Sequence, residues 1–179
     1  MFTYSTGVSL DGYVADAHGS LDWLFAADHD PEGPGGFAAF DATIGAMVMG
    51  RTTYDWVERA LAESGEAWPH RQPTWVLTHR DPPAVPLGDG ITFTDAPIAE
   101  VAAAMRTAAG DLDCWIVGGG QVASAFAEAG LLDEVILAVA PVALGAGTPV
   151  LTTRLDLDLV AAERNRDLVV LRYRVVRPA

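Results

Sequence analysis

The sequence predicts an α/β domain: a mostly parallel central sheet with helices on both faces and an antiparallel C-terminal hairpin. Three observations carry this. Short apolar runs recur along the chain, most of them followed by a helical period, as in strands buried on both faces and joined by crossover helices. Two strictly alternating runs, LDLDLVAAE and LVVLRYRVV, flank the turn RNRD near the C-terminus, the pattern of a hairpin with one wet face. No internal repeat, low-complexity tract or linker interrupts the 179 residues, so 1–179 reads as one domain.

Taken in order, MFTYSTGVSL alternates and is rich in β-formers, which predicts a first strand ending near Ser9. DGYVADAHGSLDW holds turn residues and no sustained period, so it reads as a long loop. DHDPEGPGG is a second breaker-rich stretch, and FAAFDATI spaces its apolar residues as a short helix does. AMVMG is a buried strand, and RTTYDWVERAL opens a helix directly after its glycine. PTWVLT is a further strand, linked through RDPPAVP to a short strand, GITFT. APIAEVAAAMRTAAG is an alanine-rich helix with Pro97 in its first turn and Gly110 as its stop. CWIVGGGQVASAFAEAGLLDEVIL reads as strand, glycine run, helix and strand, and the hairpin follows.

The net charge is −13, and all 11 basic residues are arginine. That balance argues against nucleic acid as the main partner. The lack of lysine excludes a Schiff-base lysine and a Walker-type phosphate loop. No apolar run reaches the length of a membrane span, and no leader-like segment opens the sequence, so a cytoplasmic protein with no membrane partner is expected. The lone Cys114, at the start of an apolar strand, reads as a buried structural thiol.

In an open sheet of this kind, ligands bind beyond the C-terminal strand ends, where loops lead into helices. Three segments fall there: MGRTTY, LTHR and VGGGQ. Each glycine adds backbone entropy to be lost on folding, so Gly118, Gly119 and Gly120 together need a reason. The reading is a phosphate held by free amides of Gly119, Gly120, Gln121 and Val122 at a helix start; a tight packed turn is the alternative. Arg51, Thr52 and Thr53 follow Gly50 at another helix start, where a cation is unfavourable unless an anion offsets it. Thr78, His79 and Arg80 end the next strand and can also donate to a phosphate. Asp16 and His18 read as turn chemistry, and no cluster completes a metal site. Of the five tryptophans, Trp23 is the one expected to meet a planar ligand.

SLDGYVAD, GSLDWL, VMGRTTYDW, VLTHR, WIVGGGQVASAFAEAGLLDEVIL and P-x-x-LGAGTPVL, in this order, resemble the dihydrofolate reductase-like family. The branch most similar is the reductase domain of bacterial riboflavin biosynthesis. The resemblance spans nearly the whole chain and implies a dihydrofolate reductase-like fold with NADPH as hydride donor. The substrate it implies is a small planar heterocycle, pterin- or pyrimidine-like, or a carbonyl compound. Carried onto matching positions, it implies that Val14 and Ala15 lie against the nicotinamide and that Gly119 to Val122 hold the pyrophosphate. It further implies that Arg51, Thr52 and Thr53 meet the adenosine-side phosphates, with Thr78 to Arg80 at the 2′-phosphate.

The acid with which dihydrofolate reductases assist pterin protonation falls at about Pro34, with Glu32 near but off register. Asp11, a common family position, reads as loop-forming and substrate-facing. Asp11 and Glu32 are therefore the candidate catalytic acids, and dihydrofolate is not the expected substrate. The zinc deaminase signatures H-x-E and P-C-x-x-C are absent from the sequence, so the riboflavin-pathway intermediate is not the expected substrate either. A homodimer is expected from the family branch and from the apolar face or open edge of the C-terminal strands. The alternative from another class is a non-catalytic nucleotide- or flavin-binding protein on the same fold.

Overall fold

The apolar runs become the middle of one sheet. The computed structural model describes residues 1–177, so the last two residues of the expected 1–179 domain lie outside the described residues. The chain runs β1 (Phe2–Ser9), β2 (Tyr13–Asp16), α1 (Asp22–Phe25), α2 (Phe37–Asp41), β3 (Ile44–Gly50), α3 (Arg51–Ser64), β4 (Thr74–Leu77) and β5 (Ile91–Thr94). It continues through α4 (Ile98–Ala109), β6 (Asp113–Gly118), α5 (Gly120–Glu128), β7 (Glu134–Ala140), β8 (Gly147–Pro149), β9 (Leu157–Asn165) and β10 (Leu168–Val175). The main sheet has the order β5-β4-β3-β6-β1-β7-β10-β9. Its first six strands are parallel, and β10 and β9 add the antiparallel hairpin. The expected fold class is the one observed.

β3 shows why such runs do not alternate. Ala46 and Val48 join Val101 and Met105 of α4 and Phe126 of α5 in one buried cluster. Met47 and Met49 join Tyr54 of α3 and Trp115 in the other. Both sheet faces are dry there, so every position selects an apolar side chain. The helices end where glycine permits it: Gly65 after α3 has φ +73°, and its amide closes on the Leu61 carbonyl. Gly110 ends α4 as expected, while Pro97 caps that helix from outside instead of standing in its first turn.

Two segments depart from the sequence reading. DGYVADAHGSLDW is not simply a loop: β2 pairs antiparallel with β8, and α1 adds one turn of helix. A four-residue strand whose partner lies some 130 residues away leaves no local period to read. The pairing is fixed by Asp11, whose carboxylate accepts the amides of Leu144 at 3.0 Å and Gly145 at 2.7 Å and the Ser9 hydroxyl at 2.7 Å. FAAFDATI is helical only through Asp41, because Ile44 already belongs to β3. The DHDPEGPGG loop is ordered from far along the chain. Buried Asn165, at the end of β9, accepts the Asp30 amide and donates to the carbonyls of Asp30 and Pro34.

Candidate functional site

Two helices begin side by side at the C-terminal ends of β3 and β6. Between them opens a cavity of about 1290 Å³ that continues to β2 and β8 on one side and to the ends of β4 and β5 on the other. Val14 and Ala15 line it, as do Gly50 to Thr53, Thr78 to Arg80 and Gly118 to Val122. The three strand-end segments and the β2 pair thus share one wall.

The glycine run has a separate reason at each position. Gly118 takes φ +155°, a backbone conformation that side chains rarely adopt. A Cβ on Gly119 would meet nothing closer than the Thr53 hydroxyl, 4.0 Å away. A Cβ on Gly120 would collide with the backbone carbonyls of Pro149 and Val150, the latter 2.6 Å off. Gly120 is therefore a packing glycine, while Gly119 leaves the backbone open to the cavity. No side chain caps α5. Among the described residues the amides of Gly119, Gly120 and Gln121 find no hydrogen-bond partner. The expectation of a fourth free amide does not hold: Val122 donates to the Gly119 carbonyl at 2.9 Å. Free amides at a helix start form an anion site, reinforced by the helix dipole.

The α3 start supplies hydroxyls and cations. Its N-cap is Gly50, so Thr52 and Thr53 stand inside the first turn, and no side chain caps it. Thr53 Oγ1 lies 3.6 Å from where a side chain on Gly118 would begin, facing the glycine run. Arg51 is already engaged: Nε donates to Asp55 at 2.6 Å and Nη1 to the Asp81 carbonyl at 2.8 Å. Arg80 Nη2 donates to the other Asp55 oxygen at 2.7 Å. Burial works against the charge on Asp55, but the two guanidiniums outweigh it and hold its pKa below the usual carboxylate value. The cluster keeps a net positive charge. Arg80 is 60 % exposed and Arg51 only 16 %, so of this pair Arg80 is the more open to the cavity, which exposed Arg59 also lines. His79 is exposed and stands 3.9 Å from Asp95.

The two candidate acids lie elsewhere. Asp11 does not line the cavity, and its carboxylate is committed to the loop that carries β8. The Leu144 amide, the Ser9 hydroxyl and the Gly145 amide hold its pKa down to about 2, so it stays an anion rather than a proton donor. Glu32 is exposed on the loop that Asn165 ties to the hairpin turn, off the cavity wall. Trp23 is also absent from the wall, its indole donating to the Ser20 carbonyl; Trp56 of α3 lines the cavity instead. Asp16 accepts the amides of His18 and Ser20, the turn chemistry expected of it. Among the described residues no three His, Cys, Asp or Glu side chains form a metal-binding group. Sequence reasoning missed Asp55, although its place four residues after Arg51 on a helix was a legible ion-pair signal.

Comparison with known proteins is consistent with this geometry. The family model of the RibD C-terminal domain matches residues 1–164. The uncharacterized protein YwjB of Bacillus subtilis (strain 168) is 30 % identical over 169 residues, covering 93 % of this chain and 92 % of that protein. A putative riboflavin biosynthesis protein from Shewanella sp. PV-4 is 28 % identical with a TM-score of 0.82, covering 98 % of this chain and 99 % of that one. The diaminohydroxyphosphoribosylaminopyrimidine deaminase/5-amino-6-(5-phosphoribosylamino)uracil reductase of Thermotoga maritima shares the fold at a TM-score of 0.66 and 16 % identity. That match covers 98 % of this chain and 56 % of the Thermotoga chain. No helix among the described residues is long and apolar enough to cross a membrane.

Proposed function

The chain belongs to the family of the RibD C-terminal domain, and we propose that it is a reductase moving a hydride from NADPH to a small planar heterocycle, pyrimidine- or pterin-like, or to a carbonyl compound. The observation that carries this is the joining, in one cavity, of three unpartnered amides, a facing threonine hydroxyl and an exposed arginine. These donors are spaced along a groove, and they suit an elongated anion with a phosphate at each of two stations.

When bound, NADPH supplies the hydride; this chain supplies position and electrostatics. Gly119, Gly120 and Gln121 donate to the diphosphate, with Thr53 beside them. Arg80 donates to the 2′-phosphate and is held in place by Asp55, while Thr78 and His79 flank it. Val14 and Ala15, clipped to β8, close over the nicotinamide end and exclude water there. The carboxylates lining the cavity are Asp55 and Asp95, which face Arg51 and Arg80 or His79. Asp55 is tied up by two arginines, and Asp95 is exposed to water, so the proton that accompanies the hydride is drawn from solvent at the cavity mouth, directly or by way of Asp95. The pyrimidine class is supported by the Thermotoga protein of the same fold, which is named a 5-amino-6-(5-phosphoribosylamino)uracil reductase.

The test is NADPH binding by titration, followed by NADPH oxidation with a panel of pyrimidines, pterins and quinones. Turnover on one class, with dihydrofolate inactive, is the expected result. Binding without turnover on any acceptor would favour the second reading, a nucleotide-binding protein, which the placing of Asp11 and Glu32 off the cavity wall favours. Failure to bind NADPH, with flavin retained on purification, would replace both with a flavin-binding module.

A further inference from the structure

β1 runs through the centre of the sheet, and side chains two apart on it share a face. Phe2 uses that face for the core, its ring 5.2 Å from that of Phe126. Tyr4 follows on the same face, fully buried in the same cluster, yet it carries a hydroxyl into it. Among the described residues that phenolic oxygen is the buried side-chain polar atom without a hydrogen-bond partner. A phenylalanine would pack the same ring and leave nothing unsatisfied, and buried hydroxyls normally find a partner. Tyr4 also lines the cavity, together with Thr6 two residues on and the Gly118–Gly120 run. Burial raises the pKa of the phenol far above its ordinary value; the Thr6 side chain is near enough to oppose this in part, but its hydroxyl donates to the Gly7 carbonyl and makes no hydrogen bond of good geometry with the phenol. The group is thus a neutral donor at any working pH, on the cavity wall it shares with the glycine run.

We propose that Tyr4 is a cofactor-positioning residue whose hydroxyl donates a hydrogen bond to an oxygen on the diphosphate–nicotinamide half of the bound cofactor. This rests on reading the cavity as the NADPH site. It explains why a tyrosine stands where packing alone asks for phenylalanine: the hydroxyl acquires its partner when the ligand arrives.

Tyr4→Phe tests it, with two readouts. Without ligand, the melting temperature should be unchanged or higher, because an unsatisfied group has been removed. NADPH should bind about tenfold more weakly, equivalent to about 1.4 kcal/mol. The same loss with 2′-phospho-ADP-ribose, which lacks the nicotinamide, puts the acceptor on the diphosphate; loss with NADPH alone puts it at the nicotinamide end. NADPH binding equal to wild type overturns the inference and leaves the proposed function standing. A lower melting temperature also overturns it, since the hydroxyl would then have a partner within the protein. A wild-type protein that does not bind NADPH removes the proposed function and this inference together.

Discussion

Gly119→Asp separates phosphate binding from folding, because the two respond with opposite sign. Gly119 is the N-cap of α5, at φ −84° and ψ −177°, an extended geometry that an L residue adopts freely. A Cβ there meets only the Thr53 hydroxyl at 4.0 Å. An aspartate at that position would accept the free Gln121 amide and place a negative charge at the positive end of the helix dipole. Relative to glycine this stabilises the fold by a few tenths of a kcal/mol, up to about 1 kcal/mol, a melting shift of roughly 0 to +4 °C for a chain of this length. For a bound diphosphate the consequences reverse. One amide is already taken, removing a charge-assisted bond of roughly 1.5–3 kcal/mol. A carboxylate about 4 Å from a phosphate charge adds repulsion of up to ~4 kcal/mol at a near-surface dielectric, less where solvent screens the open cavity. NADPH affinity should therefore fall at least about a hundredfold, about 2.7 kcal/mol, in a protein as stable as wild type. Titration by NADPH fluorescence with a parallel thermal melt reads both. A folded variant binding NADPH within about threefold of wild type would refute the phosphate assignment. Gly120→Ala is the control: its Cβ meets the Val150 carbonyl, so about 1–3 kcal/mol of stability should be lost whether or not ligand is present.

Arg80→Ala should weaken NADPH about tenfold or more and leave NADH nearly unchanged, since one charge-assisted bond to the 2′-phosphate is removed. Arg51→Ala should instead lower the melting temperature, because it strips Asp55 of its shorter ion pair; equal losses for NADPH and NADH in both variants would place the cluster off the 2′-phosphate. Asp11 has a folded pKa of about 2, below its ordinary 3.8, so its carboxylate favours the native state above that value and ceases to as pH falls toward 2. Asp11→Asn should therefore melt lower than wild type at neutral pH, with the gap closing between about pH 4 and 2; a gap independent of pH would show that charge is not what clips β2 to β8. In solution the chain should be a homodimer, covering the outer strand β9, where Leu159 and Val160 are 59 % and 50 % exposed; light scattering giving a stable mass of 18.9 kDa would contradict this.

What could be read from the sequence followed the range of the forces involved. The β3–α3 and β6–α5 units were legible because an apolar run, a glycine and a helical period are local signals, and the cavity lies where two such units meet. Gly119 and Gly120 look identical in the sequence. They differ only because the 149–150 backbone crosses one and not the other, and that crossing depends on β2 and β8 pairing across the length of the chain. The same long-range closure explains the two acids. Asp11 looked available because the only partner near it in sequence is the Ser9 hydroxyl, yet two amides 133 and 134 residues on also commit its carboxylate. Glu32 looked near the site because its loop precedes β3, but Asn165 draws that loop to the hairpin. Arg51 and Arg80 were recognisable as cations in an acidic chain. What the sequence did not show is that Asp55, one carboxylate with two oxygens, ties both of them together and leaves Arg80 the more exposed of the two.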